Sequence, residues 1–258
     1  MSAVAEPAEP FAGRLIDEAI GIVEAAEARG LRLRLLGGVA IRLLLGARFD
    51  AAFERPLRDI DAIVRRRDGR GLAELLRERG WVPDAAFNAL NGSRRLLFHD
   101  PLSEAQVDVF VESFEMCHRL PLADGLDQEG PALAATDLLM TKLQIVELNE
   151  KDRSDLYALL RACPIGSGEP RSIDPARIAS LTSRDWGLHH TFELNLARLR
   201  EGLSGEAAPA GDVAPITAAI DAITAAMDDA PKSRGWSLRA RIGERKRWYD
   251  EPEEVDRG

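Results

Sequence analysis

Cysteine is nearly absent from this chain. Only Cys117 and Cys163 occur in 258 residues, too few for a disulfide framework and without the paired spacing of a metal-binding Cys site. A reducing cytoplasm is the compartment that fits. No apolar stretch approaches the length of a membrane span, and the N-terminus lacks a basic flank followed by an apolar h-region, so neither a transmembrane segment nor a signal peptide is expected. Lysine is scarce: 4 of the 34 basic residues, so each lysine is informative where it stands. Positive charge is in deficit overall, with a formal net charge of −9. That excludes a chain coated for nucleic acid and leaves room for local basic patches. No internal repeat is visible. What is present suffices to fold: 45% of residues are apolar and 30% charged, in a length that fits one large domain or two small ones.

The chain is organised around residues 33–64. An apolar run, Leu33 to Leu36, ends at Gly37-Gly38, and a helix-like stretch, Val39 to Leu45, follows. Strand, glycine turn and helix start make a phosphate site, because free backbone N–H groups and the helix dipole both face an anion. A second apolar run carries Asp59-Ile-Asp61. On a strand these two carboxylates share a face while Ile60 points to the other. Carboxylates side by side repel, whereas hard divalent cations need them. The pairing points to phosphate at the turn and metal at the strand.

Around this centre the pattern predicts further elements. Residues 1–10 are Ala/Glu/Pro-rich and expected to fray. Phe11–Arg29 is an amphipathic helix stopped by Gly30. Phe49–Leu57 is a connection kept out of helix by Pro56, 65–70 a turn, and Gly71–Arg79 a short helix closed by Gly80. Arg94–His99 and Gln106–Val111 are expected as an antiparallel strand pair, the second carrying Asp108 among alternating valines. Pro121–Pro131 is expected as a polar loop and domain boundary. The pattern then turns helical, with Thr136 as a cap and Leu138, Leu139, Leu143, Val146 and Leu148 as a buried stripe. Asp152–Arg161 is a second helix with Asp152 as its N-cap. Helices are also expected at Pro175–Leu181, Trp186–Leu203 and Val213–Met227, with Ser204–Asp212 a Gly/Ala/Pro linker.

Gly37-Gly38, Asp59-Ile-Asp61 and Asp108 together resemble the nucleotidyltransferase superfamily of the polymerase-β type, nearest to its abortive-infection toxin branch. The resemblance covers roughly residues 30–162. It implies an α+β fold, a mixed β-sheet nucleotidyltransferase core with flanking helices over residues 1–125, then a helical domain over 126–203. A linker, helix and basic tryptophan-containing tail follow over 204–258. It implies one or two Mg²⁺ ions on Asp59, Asp61 and Asp108, with a nucleoside triphosphate as substrate. Gly37, Gly38 and Arg55 would bind the nucleotide. Arg55 stands where the family has arginine ahead of the acidic pair, although Leu57 replaces the usual hydroxyl residue; Arg55 contacts phosphate or buttresses Asp59. Lys142-Leu143 matches a family lysine that faces the triphosphate, against the plainer reading of a snorkelling surface lysine. Asp155, in Lys151-Asp-Arg-Ser-Asp-Leu, matches the family's aspartate on the next helix. Lys142 and Asp155 thereby join the catalytic set.

Three functions follow: a toxin-like enzyme adding nucleotides to RNA or another macromolecule, a small-molecule nucleotidyltransferase, or a non-catalytic relative that binds nucleotide or a partner. An antitoxin-like protein is an implied partner of the first; no membrane is implied. A site where Asp108 points away, or where an arginine fills the metal position, would favour the third. His189-His190 lacks a third ligand nearby, is expected on a helix surface, and is rejected as a metal site. The tail from Lys232 to Arg247 could bind RNA through phosphate and stacking contacts. The safer reading packs its tryptophans on the helical domain with the arginines solvated.

Overall fold

The structure, a computed structural model, describes residues 8–203 and 212–251. The chain divides into two compact units. One comprises the residues up to Leu44 with Arg55–Phe114 and Pro121–Leu133; the other comprises Leu45–Glu54, Glu115–Leu120 and the residues from Ala134 onward.

The first unit mixes helix and sheet. Helix α1 (Ala8–Ala28) starts earlier than expected, inside the stretch read as frayed; of that stretch, residues 1–7 lie outside the described residues. Pro10 falls in the first turn, where no N–H is needed, so it does not block the helix. Leu15, Ala19, Ile22 and Val23 form the buried stripe, and Gly30 at φ +71° turns the chain out. Strand β1 (Leu33–Leu36), helix α2 (Gly37–Leu45) and strand β2 (Asp59–Val64) follow. Helix α3 (Gly69–Glu78) buries Leu72, Leu75 and Leu76. Next come β3 (Val82–Pro83), α4 (Ala85–Asn91), β4 (Arg95–His99) and β5 (Gln106–Val111). Helix α4 has no apolar period to announce it; Asp84 caps it by accepting from the Phe87 N–H at 2.9 Å.

The strands form one sheet in the order β1-β2-β5-β4-β3. β1 and β2 are antiparallel, β2 and β5 parallel, and β5, β4 and β3 antiparallel. The β4–β5 pairing is the one expected from sequence. Pro121–Pro131 is less polar in its packing than its composition, since Leu122 and Leu126 are fully buried. This segment covers the outer edge of β1. Leu35 donates to the Pro131 carbonyl at 2.8 Å, Leu133 donates to the Leu35 carbonyl at 3.0 Å, and the buried Arg34 holds the Gln128 carbonyl. An edge that would otherwise invite pairing is thereby closed.

The second unit is helical. Helix α5 (Ala135–Leu143) is not capped by Thr136. The Thr136 hydroxyl instead donates to the Ser172 carbonyl at 3.1 Å and accepts from the Asp174 N–H at 2.9 Å. The helix stops at Leu143, so Val146 and Leu148 leave its buried stripe. Asn195, fully buried, supplies the C-terminal cap by donating to the Leu143 and Ile145 carbonyls. Helix α6 (Glu150–Ala162) is capped by Asn149, which accepts from the Asp152 N–H at 3.0 Å. Asp152 therefore lies inside the first turn and is not the N-cap.

Helices α7 (Pro175–Thr182), α8 (Trp186–Gly202), α9 (Val213–Asp229) and α10 (Arg234–Ile242) complete the unit. Of the expected linker, 204–211 lies outside the described residues; Asp212 is buried and paired with Arg161 at 2.5 Å. In the tail, Trp248 meets Trp186 and His190 edge-on, and Trp236 meets His189 edge-on. The tryptophans pack on α8, as the safer reading had it. Arg239 lies over Trp186 and donates to the carbonyls of Gly243 and Lys246. No helix among the described residues is long and apolar enough to cross a membrane.

Candidate functional site

The β1–α2 turn explains its own glycines. Gly37 has φ +71°, a left-handed conformation that L side chains resist. A Cβ on Gly37 would lie 1.8 Å from Asp61 Oδ2, and one on Gly38 would lie 2.3 Å from Arg55 Nη2. The chain thus turns straight from strand into helix with a carboxylate and a guanidinium pressed against the turn. Helix α2 has no acidic residue in its own first turn. Asp61, reaching over from β2, brings the negative charge that the helix-start N–H groups and the helix dipole favour. Arg55 also donates to the Pro56 carbonyl at 3.1 Å, and its own carbonyl accepts from Arg42 at 3.3 Å.

The sheet register aligns the aspartates. Asp59 and Asp61 share a face by strand period, and Asp61 stands directly opposite Asp108 on the parallel neighbour β5. The three carboxylates therefore lie on one face. Asp59 and Asp61 are half-buried and Asp108 is buried. Asp108 is engaged by Arg95 from β4: Nε contacts Oδ1 at 2.8 Å and Nη2 contacts Oδ2 at 2.5 Å. Arg95 is itself buried, with its guanidinium 5.0 Å from the Phe110 ring centre and 5.5 Å from that of Phe87. Among the described residues no set of three His, Cys, Asp or Glu side chains is grouped to hold a metal ion. Asp59 and Asp61 have the carboxylate chemistry that Mg²⁺ takes, and both Asp108 oxygens have a guanidinium donor.

Lys142 and Asp155 belong to the second unit and meet there. Lys142 Nζ is 2.7 Å from Asp152 Oδ1 and 3.1 Å from Asp155 Oδ2, with the lysine side chain 14% exposed. Lys142 is no snorkelling surface lysine: it ties α5 to α6 through two buried carboxylates. The sequence-predicted residues thus fall into two groups, Gly37, Gly38, Arg55, Asp59, Asp61 and Asp108 in one unit, Lys142 and Asp155 in the other.

No family model matches the chain, and no curated protein matches it significantly. The geometry therefore carries the functional reading. Sequence reasoning missed Arg95. Its position at the head of an expected strand two residues from Leu97 hinted at burial, and a buried arginine requires a carboxylate, but only the sheet order brings β4 beside Asp108.

The histidine pair differs from its expected surface position. His189 is buried against Trp236, and burial first of all, with Lys232 nearby, holds its pKa below the ordinary value. His190 stacks on Trp186 and pairs with Glu244 at 2.8 Å. Neither has the ligand set of a metal site.

Proposed function

We propose that the chain is a Mg²⁺-dependent nucleotidyltransferase, moving a nucleoside monophosphate from a nucleoside triphosphate to a hydroxyl acceptor. The observation that carries this reading is the contact of Asp61 with the Gly37 turn, with Asp59 on the same strand face. The helix start favours the Asp61 carboxylate, but a second carboxylate on the same strand face repels it. With a cation between them and the phosphates of a nucleotide, the same arrangement is favourable.

Asp59 and Asp61 would hold the ion, which when bound supplies charge neutralisation on the phosphates. The Gly37-Gly38 turn offers backbone N–H groups, and Arg55 beside Gly38 supplies a fixed positive charge for the triphosphate. The acceptor oxygen attacks the α-phosphorus, the bond to the β-phosphate oxygen breaks, and pyrophosphate leaves with its electron pair. Asp108 orients the acceptor hydroxyl or takes its proton. Lys142 and Asp155 enter this reading through the resemblance alone, and within their own unit they pair with each other. RNA is the favoured acceptor, in a toxin-like role checked by an antitoxin-like protein; a small-molecule acceptor is the alternative within the same chemistry.

The Arg95–Asp108 pairing favours a second reading, a non-catalytic relative that binds nucleotide or a partner protein. Incubation with each α-labelled nucleoside triphosphate and Mg²⁺, with and without total RNA, separates the readings. Transfer of label that Asp59→Asn abolishes supports the enzyme. Nucleotide binding without transfer or pyrophosphate release under every condition supports the non-catalytic relative.

A further inference from the structure

Helix α10 lies on the second unit with none of its residues buried. Its inner side is fixed. Ser233 caps it by accepting from the Trp236 N–H at 3.1 Å, Trp236 meets His189 edge-on, and Arg239 lies over Trp186. Arg234, Leu238, Arg241 and Ile242 are spaced i, i+4, i+7 and i+8, so they share the opposite, outward side. All four are exposed, Leu238 by 62% and Ile242 by 44%. Arg245, Lys246 and Arg247 follow directly in the chain and are exposed as well.

The charge here is segregated. Seven basic residues and a single carboxylate, Glu244, fall within 232–247, in a chain of net charge −9. Glu244 faces His190 at 2.8 Å, as Glu193 does from within α8 at 3.6 Å. Arg247 has an exposed partner in Glu251, and such a pair holds its cation only weakly. The carboxylates come after the cations: Asp250 and Glu251, then Glu253, Glu254 and Asp256 beyond the described residues. Helix α10 itself carries none.

Independently of the nucleotidyltransferase reading, we propose that the outward side of α10 and the basic turn after it dock on an anionic phospholipid surface. The cations meet lipid phosphates, and Leu238 and Ile242 enter the headgroup region. A polyanion such as RNA would engage the arginines and give the two aliphatic side chains nothing. A protein partner in a stable complex covers about 800 Å², whereas a helix of nine residues is about 13 Å long and about 10–12 Å across. A bilayer needs no matching groove. Aliphatic residues between arginines sink to headgroup level while the long arginine stems keep their charges at the phosphates. Each cation near such a surface raises partitioning about fivefold. The acidic remainder of the chain opposes contact elsewhere and so turns this side toward the membrane.

The test is co-sedimentation of the full chain with extruded vesicles in low salt. One set is phosphatidylcholine alone, the other equal parts phosphatidylcholine and phosphatidylglycerol. Binding to the anionic vesicles only is expected, falling at least about tenfold when KCl is raised to roughly 0.5 M. Arg241→Ala/Arg245→Ala should weaken it about 25-fold, and Leu238→Asn severalfold. Thermal melts of both variants should match the wild type, because these side chains are exposed. No sedimentation with the anionic vesicles overturns the inference, as does binding that either variant leaves at the wild-type level. Poly(U) RNA or polyglutamate bound more tightly than the vesicles, and equally by the wild type and Leu238→Asn, assigns this side to nucleic acid or to an acidic protein and overturns the membrane surface.

Discussion

At the scale of single residues, the glycine turn and the aspartates separate steric demand from chemistry. Gly37→Ala places a methyl group on the Asp61 carboxylate and forces a left-handed conformation. The backbone alone costs about 1–2 kcal/mol, so a lower Tm and loss of any transfer activity are expected together. Gly38→Ala meets chiefly the flexible end of Arg55 and a methyl of Leu57. It should weaken nucleotide binding with a smaller loss of Tm; the reverse ranking of the two variants in thermal melts would refute this account of the turn. On the nucleotidyltransferase reading, Asp59→Asn and Asp61→Asn should each abolish Mg²⁺-dependent transfer; Asp59→Asn should leave the fold intact or slightly more stable as carboxylate repulsion is relieved, whereas Asp61→Asn also gives up the charge at the helix start. Undiminished transfer in both variants would overturn the role proposed for these residues. Cys163 offers a control on folding: burial pushes its thiol up to about 11. Thiolate is the reactive form, so alkylation of Cys163 at neutral pH should be slow in the native protein and fast in urea.

At the scale of elements, the α5–α6 pairing turns on one lysine. A surface-anchored lysine would contribute little to stability, and that is the expectation its sequence context encourages. Here Lys142 faces two carboxylates, and the side chains of Asp152 and Asp155 are 8% and 5% exposed. Lys142→Ala leaves two like charges facing each other out of water, and breaking such a pair from one side costs about 3–5 kcal/mol. A marked fall in Tm is therefore expected, partly recovered in Lys142→Ala/Asp155→Asn because one of the stranded charges is removed. An unchanged Tm in the single variant would show that the cluster does not hold α5 to α6. If the resemblance holds for Lys142, Lys142→Ala measured below its Tm should raise the KM for nucleotide; wild-type kinetics would rule that role out.

At the scale of the whole molecule, acid sensitivity should exceed what the carboxylates alone confer. His118 and His189 are buried, and burial is the leading cause holding each pKa below the ordinary 6.5. The Thr191 hydroxyl accepts from Trp248 Nε1 at 3.0 Å and lies 2.8 Å from His118 Nε2, so its proton is left for a neutral imidazole. Asp185 and Asp250 oppose the depression at His118; Glu193 and Asp228 oppose it at His189, where Lys232 and His190 reinforce it. With a depressed native pKa, the unfolded chain binds the extra proton first as pH falls. Stability is full above 6.5 and declines below it, down to the native pKa values. Urea denaturation at pH 7.5 and 5.5 should show the loss, and His189→Phe should reduce it. A slope unaltered by either His118 or His189 substitution would assign the acid sensitivity elsewhere.

Much of this organisation is legible in the chain because local rules are strong there. Alternation identifies β2 and β5, Gly30 and Gly80 stop helices, and Asp-X-Asp on a strand puts Asp59 and Asp61 on one face without knowledge of any partner. Gly37, Gly38 and Arg55, singled out in the sequence by the resemblance, lie at one turn. Caps were less legible: Asp152, Thr136 and Asn149 are equally competent oxygens, and only backbone geometry selects Asn149 and turns Thr136 toward the Ser172–Asp174 loop. Helix α4 carries no period, and the buried face of α8 at His189 depends on the tail that covers it. The decisive contact at the centre, Arg95 on Asp108, joins residues whose proximity is set by strand pairing and register. Side-chain period tells which face of a strand an aspartate occupies. What stands beside it depends on which strand pairs there and in which register, and that is settled when the sheet closes its hydrogen bonds and buries its apolar face.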